Sequence, residues 1–237
     1  MHAFGRGAVR RIRSRRGPKV TLAAVGGRDI SFAGSSAPYP LPEVIIAMGE
    51  PSPEALPDPF GLVAGQLRPF DASLKELVGS DHPVLTRVAS HFFEIAGKRF
   101  RPTLVLLASA AASGGGEASV RQQRLAEIAE MIHAASLLHD DIADLAETRR
   151  GARAAGRFYG NKVGVLAGDF LLARASVLLS QLEDVRVVEL MATAIEEMVT
   201  GELMQAKAGP HELLDFEHYL SRRYRKTAAL MSLSCQV

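Results

Sequence analysis

Residues 131–151 read MIHAASLLHDDIADLAETRRG. Three carboxylates (Asp140, Asp141, Asp144), a histidine (His133) and an arginine pair (Arg149, Arg150) share this stretch with a run of apolar and small residues. Read as one helical segment at about 100° per residue, Asp140 and Asp144 point about 40° apart, and Asp141 and Asp144 about 60° apart. The three carboxylates then occupy one face. Like charges at that spacing destabilise an isolated helix. A divalent cation among them removes the penalty. Ligands that are oxygen only suit Mg²⁺, which keeps part of its water shell and takes further ligands from phosphates. The guanidinium forks of Arg149 and Arg150 match phosphate oxygens and point to the same class of ligand.

An acidic helix face that is merely solvated would show the same Asp pattern. The preceding residues argue against it. Ile132 to Leu138 are mostly apolar or small, and such a run is ordinarily buried. Acids at the mouth of an apolar helix describe a site with an apolar floor. His133 lies about 20° around the helix from Asp140 and two turns below it, so it reaches the same cavity. A core histidine satisfied by a backbone carbonyl is the competing reading. His139 adjoins the acids but points elsewhere, and packing is the expectation for it.

Two further clusters are cationic. Residues 97–102 read GKRFRP. A helix starting near Pro102 puts Lys98 and Arg101 on one face at its N-terminus, ready for an anion. The alternative is an ordinary basic surface cluster. Residues 225–228 read RKTA, in which Lys226 and Thr227 are further phosphate donors. Alone, that tetrapeptide carries nothing.

In order, GKRFRP, HxxxxxxDDxxD, TRRG, GNKVGVLAGDFLLARA and KTA resemble the trans-type isoprenyl diphosphate synthases, and within them the long-chain solanesyl (polyprenyl) branch of plants and algae. The resemblance covers roughly residues 58–237. It implies an all-α bundle around a deep central cavity. It also implies head-to-tail transfer of an allylic prenyl group to isopentenyl diphosphate, with Mg²⁺. Asp140, Asp141 and Asp144 would hold Mg²⁺ on the allylic diphosphate. Arg149 would bind the same diphosphate, and Arg150, Lys98, Arg101 and His133 would grip isopentenyl diphosphate. Lys226 and Thr227 would lie beside the breaking allylic C–O bond as the catalytic pair, Lys226 also holding the leaving diphosphate. Ala135, with Ile132 and Ser136, would form the floor of the product tunnel, and a floor without aromatic side chains implies a long chain. The partner would be a second copy or a related synthase. The family also carries a second aspartate-rich motif, whereas Asp140–Asp141 is the only Asp–Asp pair here. The expectation is therefore a chain shortened at its C-terminus and nearly inactive alone. A non-catalytic partner subunit and an inactive fragment are the alternatives.

Composition agrees with a helical enzyme. Of 237 residues, 47% are hydrophobic but only 6% aromatic, with no Trp. Residues 1–28 hold seven Arg, one Lys and no acid. That balance of +8, against +2 for the whole chain, leaves the remainder at −6. An acidic body opposes nucleic-acid binding. A basic, acid-free start without an apolar core reads as an organellar transit peptide, plastid or mitochondrial, rather than a secretory signal. Seven of the twelve prolines fall between Pro38 and Pro59, so residues 1–57 are expected to be targeting sequence and linker. No run approaches 18 apolar residues, so no transmembrane helix is expected. The single Cys235 excludes an intrachain disulfide and reads as a buried thiol. Helical patterns run near 60–79, 84–97, 102–112, 119–147, 162–182, 185–207 and 213–235, with no strand alternation.

Overall fold

The computed structural model describes residues 57–94, 97–149 and 151–237. The expected transit peptide and most of the linker, and Arg150, lie outside these residues. Pro57–Val237 forms one compact unit. Its helices are α1 (Pro59–Leu62), α2 (Ala64–Leu67), α3 (Phe70–Leu77), α4 (Pro83–Glu94), α5 (Phe100–Ala112) and α6 (Val120–Ala143). Two short strands follow, β1 (Thr148–Arg149) and β2 (Ala152–Arg153). The chain continues through α7 (Ala155–Tyr159), α8 (Asn161–Gln181), α9 (Val185–Lys207), α10 (Pro210–Leu214) and α11 (Phe216–Arg223). A π-helical turn, Tyr224–Ala228, then leads into α12 (Ala229–Ser234). The all-α expectation holds.

The central rod is α6. Ser119 starts it through a reciprocal cap: its hydroxyl accepts from the Gln122 backbone N–H at 3.3 Å, and its own N–H donates to Gln122 Oε1 at 2.8 Å. This pairing satisfies two backbone donors that a helix start leaves open. Every residue from Leu125 to Ile132 is buried. A helix buried all round is a core helix, and each buried Leu, Ile or Met contributes about 1.5–3 kcal/mol. The buried Glu130 is paired: Arg99 reaches it at 3.1 Å, Asp71 at 2.7 Å and the Phe93 carbonyl at 3.2 Å. One guanidinium thus ties α3, α4 and α6 to the start of α5.

Helix α8 packs closely on the end of α6 because of two glycines one turn apart. A Cβ on Gly164 would meet Ile142 Cδ1 at 2.7 Å, and one on Gly168 would meet His139 Nε2 at 2.2 Å. Among the described residues α8 alone is long and apolar enough to cross a membrane by length and composition, which the run-length expectation overlooked. Its Gly164, Ala167, Gly168, Leu171, Ala175, Leu178 and Leu179 are buried, so one face of it packs into the bundle while Val165, Leu166 and Val177 stay exposed.

Several boundaries differ from expectation: the 60–79 pattern is the three helices α1–α3, and the 213–235 pattern is divided among the end of α10, α11, the π turn and α12. Helix α6 ends at Ala143, with Asp144 as its cap, rather than near 147, because Leu145 turns to φ 53°. Arg149 therefore lies on β1 and not on the helix of the aspartates. β1 and β2 pair antiparallel, with Thr148 opposite Arg153, around a positive-φ Gly151. A two-residue ladder is too short to print an alternation in the sequence. Helix α5 begins at Phe100, and Arg99 caps it in a left-handed conformation, so Lys98 precedes the helix and shares no helical face with Arg101.

Candidate functional site

The last turn of α6 carries the acids, and it separates them. Asp141 is buried and faces Arg149. The Arg149 Nε donates to Asp141 Oδ1 at 2.7 Å and to Oδ2 at 2.8 Å, and Nη2 lies 2.5 Å from Oδ1. The hydrogen bond to Asp141 pushes the Arg149 pKa above its ordinary value. Asp141 and Arg149 thus hold each other, and the three aspartates do not form one open face. The reason is position: Asp141 is about 100° around the helix from Asp140, and β1 brings a guanidinium against it.

Asp140 and Asp144 remain on the open side. The Asp140 carboxyl is pushed from 3.8 up to about 6, first by burial, then by the negative charges of Glu202 and Asp144, against the opposing pull of Lys226 and Arg149. Asp144 is exposed at the helix cap. The partners come from later in the chain: Glu202 from α9 and Lys226 from the π turn, which form an ion pair with each other. Glu202 was not foreseen. Its signal was an acid in an apolar stretch, MVTGELM, the same pattern that flags Asp140.

The remaining expected residues fall as follows. Lys226 and Thr227 sit half-buried in the π turn. His133 is half-buried two turns below Asp140, and its carbonyl accepts from Ser136 Oγ at 2.8 Å. Ala135 and Ile132 are buried at 0% and 1% exposure, with Ser136 half-buried beside them. Lys98 is exposed and Arg101 half-buried at the α5 start. His139 points away as expected: its Nε2 lies 3.2 Å from the Val165 carbonyl and 3.4 Å from Asp169 Oδ1. Cys235 is half-buried, and burial pushes its thiol pKa up.

The residues fit a cation that brings some of its own ligands. Among the described residues no three His, Cys, Asp or Glu side chains converge as a metal site. Mg²⁺ does not need three such ligands, because it retains waters and binds phosphate oxygens alongside one or two carboxylates. A carboxyl raised to about 6 by burial first and by neighbouring acids second gains from any cation placed beside it.

A family model described as polyprenyl synthetase matches residues 82–237. The mitochondrial solanesyl-diphosphate synthase 1 of Oryza sativa subsp. japonica is 42% identical over 234 residues, covering 92% of this chain and 54% of the rice protein. The decaprenyl diphosphate synthase of Rhodobacter capsulatus superposes with a TM-score of 0.69 at 35% identity, over 75% of this chain and 54% of that one. A Caulobacter crescentus polyprenyl synthase, solved with calcium and isoprenyl diphosphate, superposes with a TM-score of 0.69 at 31% identity, over 75% and 53% of the two chains. The chain spans about half the length of these relatives, 54% of the rice protein.

Proposed function

The chain belongs to the polyprenyl synthetase family, and we propose that residues 58–237 are the N-terminal part of a long-chain trans-prenyl diphosphate synthase. The reaction joins an allylic diphosphate to isopentenyl diphosphate. The allylic C–O bond breaks, diphosphate leaves with the electron pair, a C–C bond forms, and a proton is lost from the new chain.

The juxtaposition of Asp140 and Asp144 with Lys226 and Glu202 carries this reading. Asp140 and Asp144 would hold Mg²⁺ together with diphosphate oxygens and water. Bound there, it would neutralise charge growing on the leaving diphosphate. Asp141 contributes by holding Arg149 next to the same diphosphate. Lys226 would turn from Glu202 to a leaving-group oxygen, with Thr227 alongside. Lys98, Arg101, His133 and Arg150 would take isopentenyl diphosphate. The apolar wall below Asp140 keeps water from a carbocation. Ala135, Ile132 and Ser136 line the start of that wall, and the absence of a ring among them leaves room for a long product.

Residues 1–57 would be an organellar transit peptide and linker, in keeping with the mitochondrial rice relative. The working assembly would be a homodimer, or a heterodimer with a related synthase. The test is calorimetric titration of the 237-residue chain with an unreactive thio analogue of an allylic diphosphate. Binding should require Mg²⁺ and disappear in Asp140→Ala. Equal binding with and without metal would refute the reading.

A further inference from the structure

A π-helical turn is rare and needs local compensation. In Tyr224–Ala228 the Ala229 N–H bonds to the Tyr224 carbonyl, five residues back. The compensation lies on α9, where Gly201 is buried directly under the turn. A Cβ on Gly201 would stand 2.4 Å from the Lys226 backbone N, 2.8 Å from its Cα and 3.0 Å from the Arg225 carbonyl carbon. All three are backbone atoms, so no side-chain rotation relieves the clash.

Two ion pairs straddle this glycine. Arg225 Nη1 meets Glu197 Oε2 at 2.6 Å, with the side chains only 29% and 14% exposed. Lys226 meets Glu202 on the other side. Glu197 and Gly201 are one helical turn apart, so they lie on the same face of α9.

We propose that Gly201 and Glu197 are positioning residues: they form a seat on α9 that holds the π turn and so fixes Lys226 in its place beside Glu202. The seat works by closeness. Ordinary contact at a Cβ begins near 3.4 Å, so any side chain at 201 moves the Lys226 backbone outward by about 1 Å. Displacements of that size around a reacting group cost on the order of a hundredfold. Glu197 opposes the same outward movement by tying down the residue before Lys226. This inference rests on the reading of Lys226 as a diphosphate ligand, and the experiment separates the two.

The experiment uses the full 237-residue chain as wild type, Gly201→Ala, Glu197→Ala, Glu197→Gln and Lys226→Ala. The first readout is brief acetic anhydride labelling, with Lys226 scored against the exposed Lys162 and Lys207 by mass spectrometry. The second is affinity for the thio analogue with Mg²⁺. Labelling of Lys226 should rise in Gly201→Ala and in Glu197→Ala, and fall back toward wild type in Glu197→Gln, which keeps an acceptor. Affinity should fall by tenfold to a hundredfold in Gly201→Ala, about the worth of one hydrogen bond to a charged group, and no further when Lys226→Ala is added. Should Gly201→Ala fail to fold, the Glu197 pair carries the test. Lys226 labelling unchanged in the folded variants would overturn the seat. Raised labelling with analogue affinity unchanged in both Gly201→Ala and Lys226→Ala would leave the seat standing and sink the diphosphate role of Lys226.

Discussion

Asp140→Asn should stabilise the ligand-free protein at neutral pH. The carboxyl rises from 3.8 to about 6 on folding, and each unit is worth about 1.36 kcal/mol, for a ceiling of about 3 kcal/mol. The side chain is half-buried, so solvent screening reduces this to about 1–2 kcal/mol. Because the folded value is the higher one, the native protein holds the proton more tightly, and stability falls as pH rises from 3.8 through about 6. Below that window both states are protonated and Asp140 contributes nothing. Above it the penalty is complete. The gain in Asp140→Asn should then be near zero at about pH 4 and full at about pH 8. For a domain of this size it corresponds to roughly 2–8 °C in Tm. Circular dichroism melts in the presence of a chelator measure it. A variant no more stable than wild type at the higher pH, or equally stabilised at both, would refute the burial and like-charge account. Mg²⁺ with a diphosphate should raise the wild-type Tm and leave the variant unmoved.

Arg149→Ala should cost about 3–5 kcal/mol in urea unfolding, because it strands the buried Asp141 charge; Arg149→Lys should restore only part, having no fork. Gly168→Ala should cost about 1–3 kcal/mol by driving the His139 ring from its place, and a double-mutant cycle with His139→Ala should show strong coupling in the same melts. Ala135→Phe should destabilise this chain by about 1–3 kcal/mol. In a full-length synthase carrying this segment it should shorten the product sharply, read by chromatography; unchanged product length would remove Ala135 from the tunnel floor.

Helix paths were legible because the signals are local. The apolar run before Asp140 specifies the burial of α6 from neighbouring residues alone, whereas the Ser119–Gln122 cap at its start emerged only from the structure. The two glycines of GVLAGD were visible as part of a motif. Their purpose, room for Ile142 and His139, appears only once α6 and α8 are side by side. Arg149 was read onto the helix because nothing in LAETRRG excludes another turn; the stop comes from Leu145 adopting positive φ and from pairing with β2. Lys226 was found as a cation, but its π turn leaves no periodic trace. Glu202 is distant in sequence from Asp140, so only the folded bundle shows that the two acids and Lys226 meet. In GKRFRP the middle Arg99, not singled out as a ligand, proves the most heavily engaged, because buried Glu130 requires a partner.

Helix α6 is unbrokenly buried from Leu125 to Ile132 and ends at an exposed Asp144. Its amides should therefore divide by exchange rate. Those of the buried half can meet solvent deuterium only when the whole unit opens, whereas those of the last turn can exchange by fraying. The acids stand on the fraying end, stapled to β1 through Asp141 and Arg149. A bound ligand would slow deuterium uptake at those few terminal amides first, and occupancy becomes readable at one end of a rod whose other end reports only global unfolding.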